Sequence, residues 1–373
     1  MNFDLEMKKS ISESKLTINL LTYPFSISNQ NGGGVSRYNY ELKQALMRTK
    51  NTNLQLENYT QYGNKWFKFF IRLINTESNI ALNRYDLNHA TSPYSRFFTI
   101  RLSKKPMVTS IHDVIWLNYT FEVKNKFTRM RFLVNKYSIE NSDFLLVPFK
   151  YTKFKIIENF KISEERIIVI PYGMNTDNYL DMGTSEVKNS PNLIFFGGLN
   201  PISRGALLAI DAFYIFRKSI PNSVLYFSST NNAEFNKFMQ ITDPMRLQNV
   251  KFIQFVEETQ MPKFFSKFDL MIYPTDMGFS YLLIQAFAAG LPVITTDVYD
   301  LPEFLKGLEF LCRPKEPDSF ADAMIEIITN RSKYNSIQDS IRKTAKYHSS
   351  MRLSLETIKA YNIVLNRKVE DEK

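Results

Sequence analysis

The feature that most constrains this chain is an alternation of short, β-rich apolar runs with longer amphipathic stretches, which begins again near residue 190. Candidate strands lie at 16–22, 106–111, 143–148 and 166–170, then at 192–197, 223–228, 250–253, 269–274 and 292–296. Amphipathic stretches at 35–49, 124–140, 204–218, 280–289 and 317–329 fall between them. Strands separated by helices pair in parallel, and a parallel sheet needs helices on both faces. The sequence therefore predicts an α/β protein of two doubly wound domains facing each other across a cleft, with ligands at the carboxyl ends of the strands.

The 373 residues exceed one ordinary core, and a hydrophobic content of 44% supports two. The predicted division is a flexible leader at 1–14, a first domain at 15–178 and a second at 179–350. A terminal helix at 351–367 can cross back to the first domain. The single cysteine, Cys312, rules out an intramolecular disulfide and fits a reducing compartment. No apolar run approaches the roughly 18–20 residues that span a bilayer. The start, MNFDLEMKKSISESK, has no signal-peptide core. The expected location is the cytoplasm, free or attached peripherally at the inner membrane face.

Charge is uneven. Residues 1–178 carry 25 Lys and Arg against 15 Asp and Glu, whereas the remainder balances at 22 against 22. A basic half beside a neutral half suggests two binding tasks. In the basic half, NKWFKFFIRLI at 64–74 places Lys65, Lys68 and Arg72 on one helical face and Trp66, Phe70 and Leu73 on another. Such a helix either lies on an anionic membrane surface or packs on its own domain. Nucleic acid shares the charge argument but finds no reader motif here, so none is expected as a partner.

Four segments carry candidate chemistry. Gly32, Gly33 and Gly34 precede a helix, where backbone amides can approach an anion; a plain tight turn is the other reading. His112 and Asp113 stand just past a strand end, and His112 is either a ligand contact or a turn histidine satisfied by backbone. Arg204 opens a helix after the FFGGLN turn, where it neutralises phosphate charge or simply faces solvent. The last segment runs from Tyr273 to Pro302. There Gly278 and Phe279 form a turn, Ser280 is a candidate N-cap, and the amides around Gly278–Tyr281 point at a diphosphate if the unit binds one.

In order and spacing, these segments resemble the retaining family 4 glycosyltransferases of the GT-B fold over almost the whole chain. The resemblance is carried by GGGVSRY, HATSPYS at 89–95, IHDV at 111–114, VIPYGMNTDNY at 169–179, FFGGLNP at 195–201, FDLMIYP at 268–274 and AFAAGLPVITTDVYDLPEF at 286–304. It implies two Rossmann-like domains and transfer of a sugar from a nucleotide-diphosphate donor to a glycan or lipid-linked acceptor, with retention. It also implies that Gly33 and Gly34 face the sugar and acceptor, that His112 contacts the donor sugar, and that Arg204 takes the phosphate-binding lysine position. The family's phosphate-binding arginine falls on Gly198 and is lost. Its two E-x7-E glutamates fall on Met277, beside the sugar, and Gln285, at the ribose.

Gln285 still accepts a hydrogen bond, at a cost of about 1 kcal/mol against a charged acceptor. Met277 cannot, and the adjacent Asp276 is the candidate replacement. No DxD-type carboxylate pair is present, so neither a metal nor another cofactor is expected. The sequence leaves two functions open: a working glycosyltransferase, or a GT-B protein without turnover that binds glycan, nucleotide or a partner transferase. An epimerase on the same fold lacks a supporting acidic pair.

Overall fold

A computed structural model describes residues 16–22, 33–49, 84–97, 104–119, 126–180, 190–198, 202, 204–229, 232–253, 256–308, 311–313 and 315–371. The chain divides into two compact units, Met1–Met174 with His348–Lys373, and Asn175–Tyr347.

The first unit is built on a parallel sheet in the order β1-β2-β3-β4-β5, formed by Ile18–Leu21, Leu87–Ala90, Met107–Ser110, Phe144–Val147 and Ile167–Val169. Around it lie α1 (Gly34–Arg48), α2 (Pro93–Phe97), α3 (Lys126–Glu140) and α4 (Lys150–Phe160). Strands β1 to β4 are buried along their whole length, as strands of a parallel sheet covered by helices should be. Ile111, Trp116, Ile139, Leu145, Ile156 and Ile167 form the main core cluster.

Strand β2, LNHA, is absent from the sequence-predicted set because its middle residues are polar and yet fully buried. Their hydrogen bonds explain this. Asn19 Nδ2 on β1 donates to Asn88 Oδ1 at 3.0 Å. His89 Nε2 lies 2.8 Å from the Ser110 hydroxyl, and its Nδ1 lies 2.7 Å from the Tyr361 hydroxyl. Ser110 in turn lies 3.0 Å from the Tyr38 hydroxyl. Four side chains thus form one buried polar row that joins β2 and β3 to α1 and to the chain's last helix.

The second unit opens with α5 (Asp177–Leu180) and β6 (Asn192–Gly198), then α6 (Ala206–Ser219), β7 (Val224–Ser229), α7 (Asn232–Ile241), β8 (Val250–Ile253) and α8 (Met261–Phe265). It continues with β9 (Leu270–Tyr273), α9 (Tyr281–Ala288), β10 (Val293–Thr296), α10 (Leu301–Phe304), β11 (Cys312–Arg313), α11 (Pro317–Thr329) and α12 (Arg331–Tyr347). All six strands are parallel, in the order β11-β10-β9-β6-β7-β8. Helix α6 buries Ala206, Ala209, Ile210, Phe213 and Phe216 and packs against α11, while α9 packs against α12.

The final helix, α13 (Ser350–Asp371), packs on α1 of the first unit. Its start is pinned where the chain left that unit: Met174 N donates to His348 O at 3.0 Å, and Ser350 N to Met174 O at 2.9 Å. Gly173 permits this approach, since a Cβ there would lie 2.4 Å from the Ser349 carbonyl oxygen.

All three histidines of the chain lie in the first unit. Burial pushes His89 down to about 3 and His348 down to about 4, and it also lowers His112. His89 and His348 are therefore neutral in the folded protein down to about pH 5, whereas the unfolded chain protonates histidine near pH 6.5. Below that pH the unfolded state binds more protons, so the contribution is complete above about pH 6.5 and is lost as pH falls toward the folded values. Trp116 is buried in the core of this unit and reports its unfolding. Urea unfolding followed by tryptophan fluorescence should therefore show a midpoint that falls between pH 6.5 and 5. A flat midpoint over that window would contradict the buried neutral histidines.

Candidate active site

In the second unit the strand order reverses between β6 and β9: β7 and β8 extend from one side of β6, and β9, β10 and β11 from the other. Crossovers leaving two such neighbouring strands go to opposite faces, so their loops part and open a crevice at the carboxyl edge. The loops in question follow Gly198 and Tyr273.

The loop after β9 is held by a dense set of bonds. Thr295 Oγ1 donates to Tyr273 O at 2.7 Å, and Thr296 Oγ1 donates to Thr275 O. Met277 N donates to Thr275 Oγ1 at 2.9 Å, and Gly278 turns the chain at φ +67°. Ser280, in extended backbone, accepts from Leu282 N at 3.4 Å and so caps α9. The amide of Phe279, expected to face a diphosphate, instead donates to Oδ1 of the buried Asp300 at 3.0 Å. The amides of Gly278 and Ser280 take no part in these bonds, and α9 begins at Tyr281. A capped helix start after a glycine turn is an anion site by its partial positive charge.

Arg204 and Gly205, just ahead of α6, meet the β9 loop at its root. Gly198 ends β6 opposite Ser229, just past a register shift. Arg204 donates to the Tyr273 hydroxyl, and its guanidinium carbon lies 5.7 Å from the Tyr273 ring centroid. Gly205, at φ +80°, sits on Pro274 so closely that a Cβ would lie 1.8 Å from the Pro274 carbonyl oxygen. The cation is thereby fixed at the root of the β9 loop. Tyr273, Gly205 and Asp300 were not singled out in the sequence; Gly205, directly after Arg204, was the legible signal.

Two expected carboxylate substitutes behave differently. The Asp276 carboxylate, about half exposed, pairs with Lys315, so its charge is locally neutralised. Met277 is 44% exposed beside it. Gln285 is only 3% exposed, in a helix buried on nearly every side, and its Nε2 donates to Glu258 Oε1. A buried amide without a partner costs about 1–3 kcal/mol, so this bond accounts for the polar residue in an apolar helix. Residue 258 is 27 positions away, and no local pattern signals the pairing.

In the first unit, Gly33 is the N-cap residue of α1 and Gly34 its first residue, both exposed, with open space where a Cβ would stand. His112 lies two residues past β3, half-buried, with its ring edge-on to Tyr38 at 4.7 Å. Its Nε2 is 2.8 Å from Thr91 O and its Nδ1 is 3.1 Å from the Tyr172 hydroxyl. Both ring nitrogens thus have protein partners, and a ligand must displace one. Lys65, Trp66, Lys68 and Arg72, like Gly32, lie outside the described residues.

Residues 190–330 match the family Glycosyl transferases group 1, and residues 55–178 match Glycosyltransferase Family 4. The chain belongs to the family 4-like glycosyltransferases of the GT-B fold. Among solved structures, this glycosyltransferase is similar to a sucrose-phosphate synthase from Thermosynechococcus elongatus (15% identity, TM-score 0.75, covering 95% of this chain and 100% of that one). It is also similar to Anabaena HepE, solved with UDP and glucose (14%, 0.69, 94% and 100%), and to WaaG, a glycosyltransferase involved in lipopolysaccharide biosynthesis (15%, 0.66, 94% and 99%). No curated protein sequence gives a match. Among the described residues, no cluster of three or more His, Cys, Asp or Glu is placed to hold a metal ion.

Gly205→Ala tests the convergence of the two loops. A Cβ at this positive φ collides with Pro274, and the variant should lose at least ~2 kcal/mol of the second unit's stability. Calorimetric unfolding checks this, and a change below ~0.5 kcal/mol would show that the loops are not so held.

Proposed function

We propose that the second unit holds a nucleoside-diphosphate sugar with its diphosphate at the start of α9, and that the enzyme passes the sugar to a glycan or lipid-linked acceptor. The observation that carries this is the convergence of Arg204 and the capped start of α9 at the strand-order reversal. When the glycosidic bond to the donor breaks, negative charge grows on the departing diphosphate. A fixed guanidinium and oriented amides stabilise that charge without reorganising, an effect commonly worth a few kcal/mol of barrier. These groups serve without a resident cofactor. With the arginine equivalent at Gly198 missing, Arg204 bears a larger share of the task.

His112, neutral at pH 7, acts as a hydrogen-bond partner for the sugar rather than as a cation. Asp276, paired with Lys315, serves to orient rather than to accept a proton. Because HepE is described with UDP-glucose, and the pneumococcal O-GlcNAc transferase GtfA with UDP and GlcNAc, UDP-sugars are the first donors to try.

A thermal-shift panel with UDP, GDP, ADP and their sugars should give stabilisation by one nucleotide family, followed by donor hydrolysis with the same base. Arg204→Ala should weaken that nucleotide about tenfold or more. Absence of stabilisation by any nucleotide at millimolar concentration would remove the donor-site reading. Binding without hydrolysis or transfer would leave a binding protein in place of an enzyme.

For the acceptor side, a surface of the first unit supports contact with an anionic membrane. On α3, Arg129, Met130, Leu133 and Lys136 share an exposed face, and on the adjoining α4 Lys150 and Phe154 are exposed. Large apolar side chains set among cations suit a headgroup interface. No helix among the described residues is long and apolar enough to cross a membrane, so such attachment would be peripheral. The protein should co-float with vesicles containing phosphatidylglycerol, and a Met130→Glu, Leu133→Glu variant should lose most of that binding. Equal flotation of both proteins would exclude this face.

A further inference from the structure

We propose that the Tyr172 hydroxyl is a built-in competitor for the ligand-binding nitrogen of His112: it occupies Nδ1 in the free protein and yields it only to a hydroxyl group. This rests on reading His112 as a hydrogen-bond partner for the sugar. Both residues belong to the first unit, His112 just past β3 and Tyr172 in the segment that follows β5.

The direction of each bond follows from what its atoms can do. A carbonyl oxygen only accepts, so His112 Nε2, 2.8 Å from Thr91 O, carries the ring proton. A neutral imidazole has one N–H, and burial favours the neutral ring, so Nδ1 is an acceptor. The Tyr172 hydroxyl, 3.1 Å away, therefore donates to it.

The two bonds are not equally easy to break. Thr91 is fully buried and anchored to β1, with its amide 3.0 Å and its hydroxyl 3.2 Å from Leu21 O. A ligand that took the Nε2 proton would withdraw it from a carbonyl in the interior, where an unmet acceptor is costly. Tyr172 is different. Its hydroxyl also lies 3.2 Å from the main-chain oxygen of His112, so it can turn from Nδ1 to that oxygen and stay bonded. The backbone beneath it is held meanwhile, since Tyr172 O accepts from His348 Nδ1 at 2.7 Å. The His112 ring is held too, edge-on against Tyr38 and within 12° of parallel to the Tyr172 ring.

Replacement at Nδ1 is selective. The nitrogen offers a lone pair and no proton, so a phosphate oxygen or a sugar ring oxygen forms no bond there, whereas a sugar hydroxyl does. The phenol sets the threshold for that contact, because the group that displaces it must donate at least as well.

Nitrogen NMR of the full chain with labelled histidine gives the first reading, with His112 assigned by its loss in His112→Gln. Wild-type His112 should show Nδ1 unprotonated and Nε2 protonated. Tyr172→Phe should move the Nδ1 signal toward that of an acceptor without a donor. The second reading compares UDP, GDP and ADP with their glucose conjugates by isothermal titration calorimetry. Tyr172→Phe removes the competitor and keeps the ring, so the affinity of conjugate relative to nucleotide should rise about threefold or more. A purely structural phenol would instead lower both affinities or neither. One of the corresponding monodeoxyglucose conjugates should lose the rise.

A protonated Nδ1 in wild type overturns the proposal without any variant. An unchanged or smaller ratio in Tyr172→Phe overturns it too, and a rise that survives in every deoxy conjugate overturns the demand for a hydroxyl. Wild type that binds neither nucleotides nor conjugates overturns the donor-site reading as well. If Tyr172→Phe does not fold, the wild-type spectrum decides: the glucose conjugate, and not the nucleotide alone, should shift the Nδ1 signal.

Discussion

Parallel strands can be joined only through crossovers, and a sheet built outward in both directions from one strand has a single place where neighbouring crossovers leave by opposite faces. In the second unit that place lies between β6 and β9. The Gly205–Pro274 contact, the Arg204–Tyr273 bond and the capped start of α9 are all arranged around the gap. Topology opens the space, and local chemistry determines what fits: one cation, a helix end and a turn glycine make the opening suited to phosphate.

The charges around the β9 loop differ in their partners. Asp276 is matched by Lys315, while Arg204 is held by a phenol, a partner that leaves its positive charge intact. A guanidinium tied to a carboxylate would offer little to a phosphate, whereas one tied to a neutral hydroxyl keeps its field.

Most of the architecture was legible because buried parallel strands read as apolar runs. Strand β9, LMIY, is the plainest case, with every residue buried. Strand β2 was not legible, since Asn88 and His89 are polar and their partners Asn19, Ser110 and Tyr361 lie 69, 21 and 272 residues away. The same limit governs the site. Ser280 and Gly278 announce themselves through turn and cap chemistry, which is local. The Gln285–Glu258 and Phe279–Asp300 bonds depend on tertiary contact between residues 27 and 21 positions apart, which no local pattern signals.

The first unit is interrupted: its chain leaves at Met174 and returns at His348, bonded back onto its own point of departure. The second unit is a single uninterrupted stretch. During synthesis, the stretch made later is therefore the one able to finish first. The residues that begin the chain must wait with Tyr38, His89 and Ser110 unsealed until Tyr361 emerges. Until then the α1 face that receives α13 is open to solvent. The order of the sequence and the order of completion thus run in opposite directions.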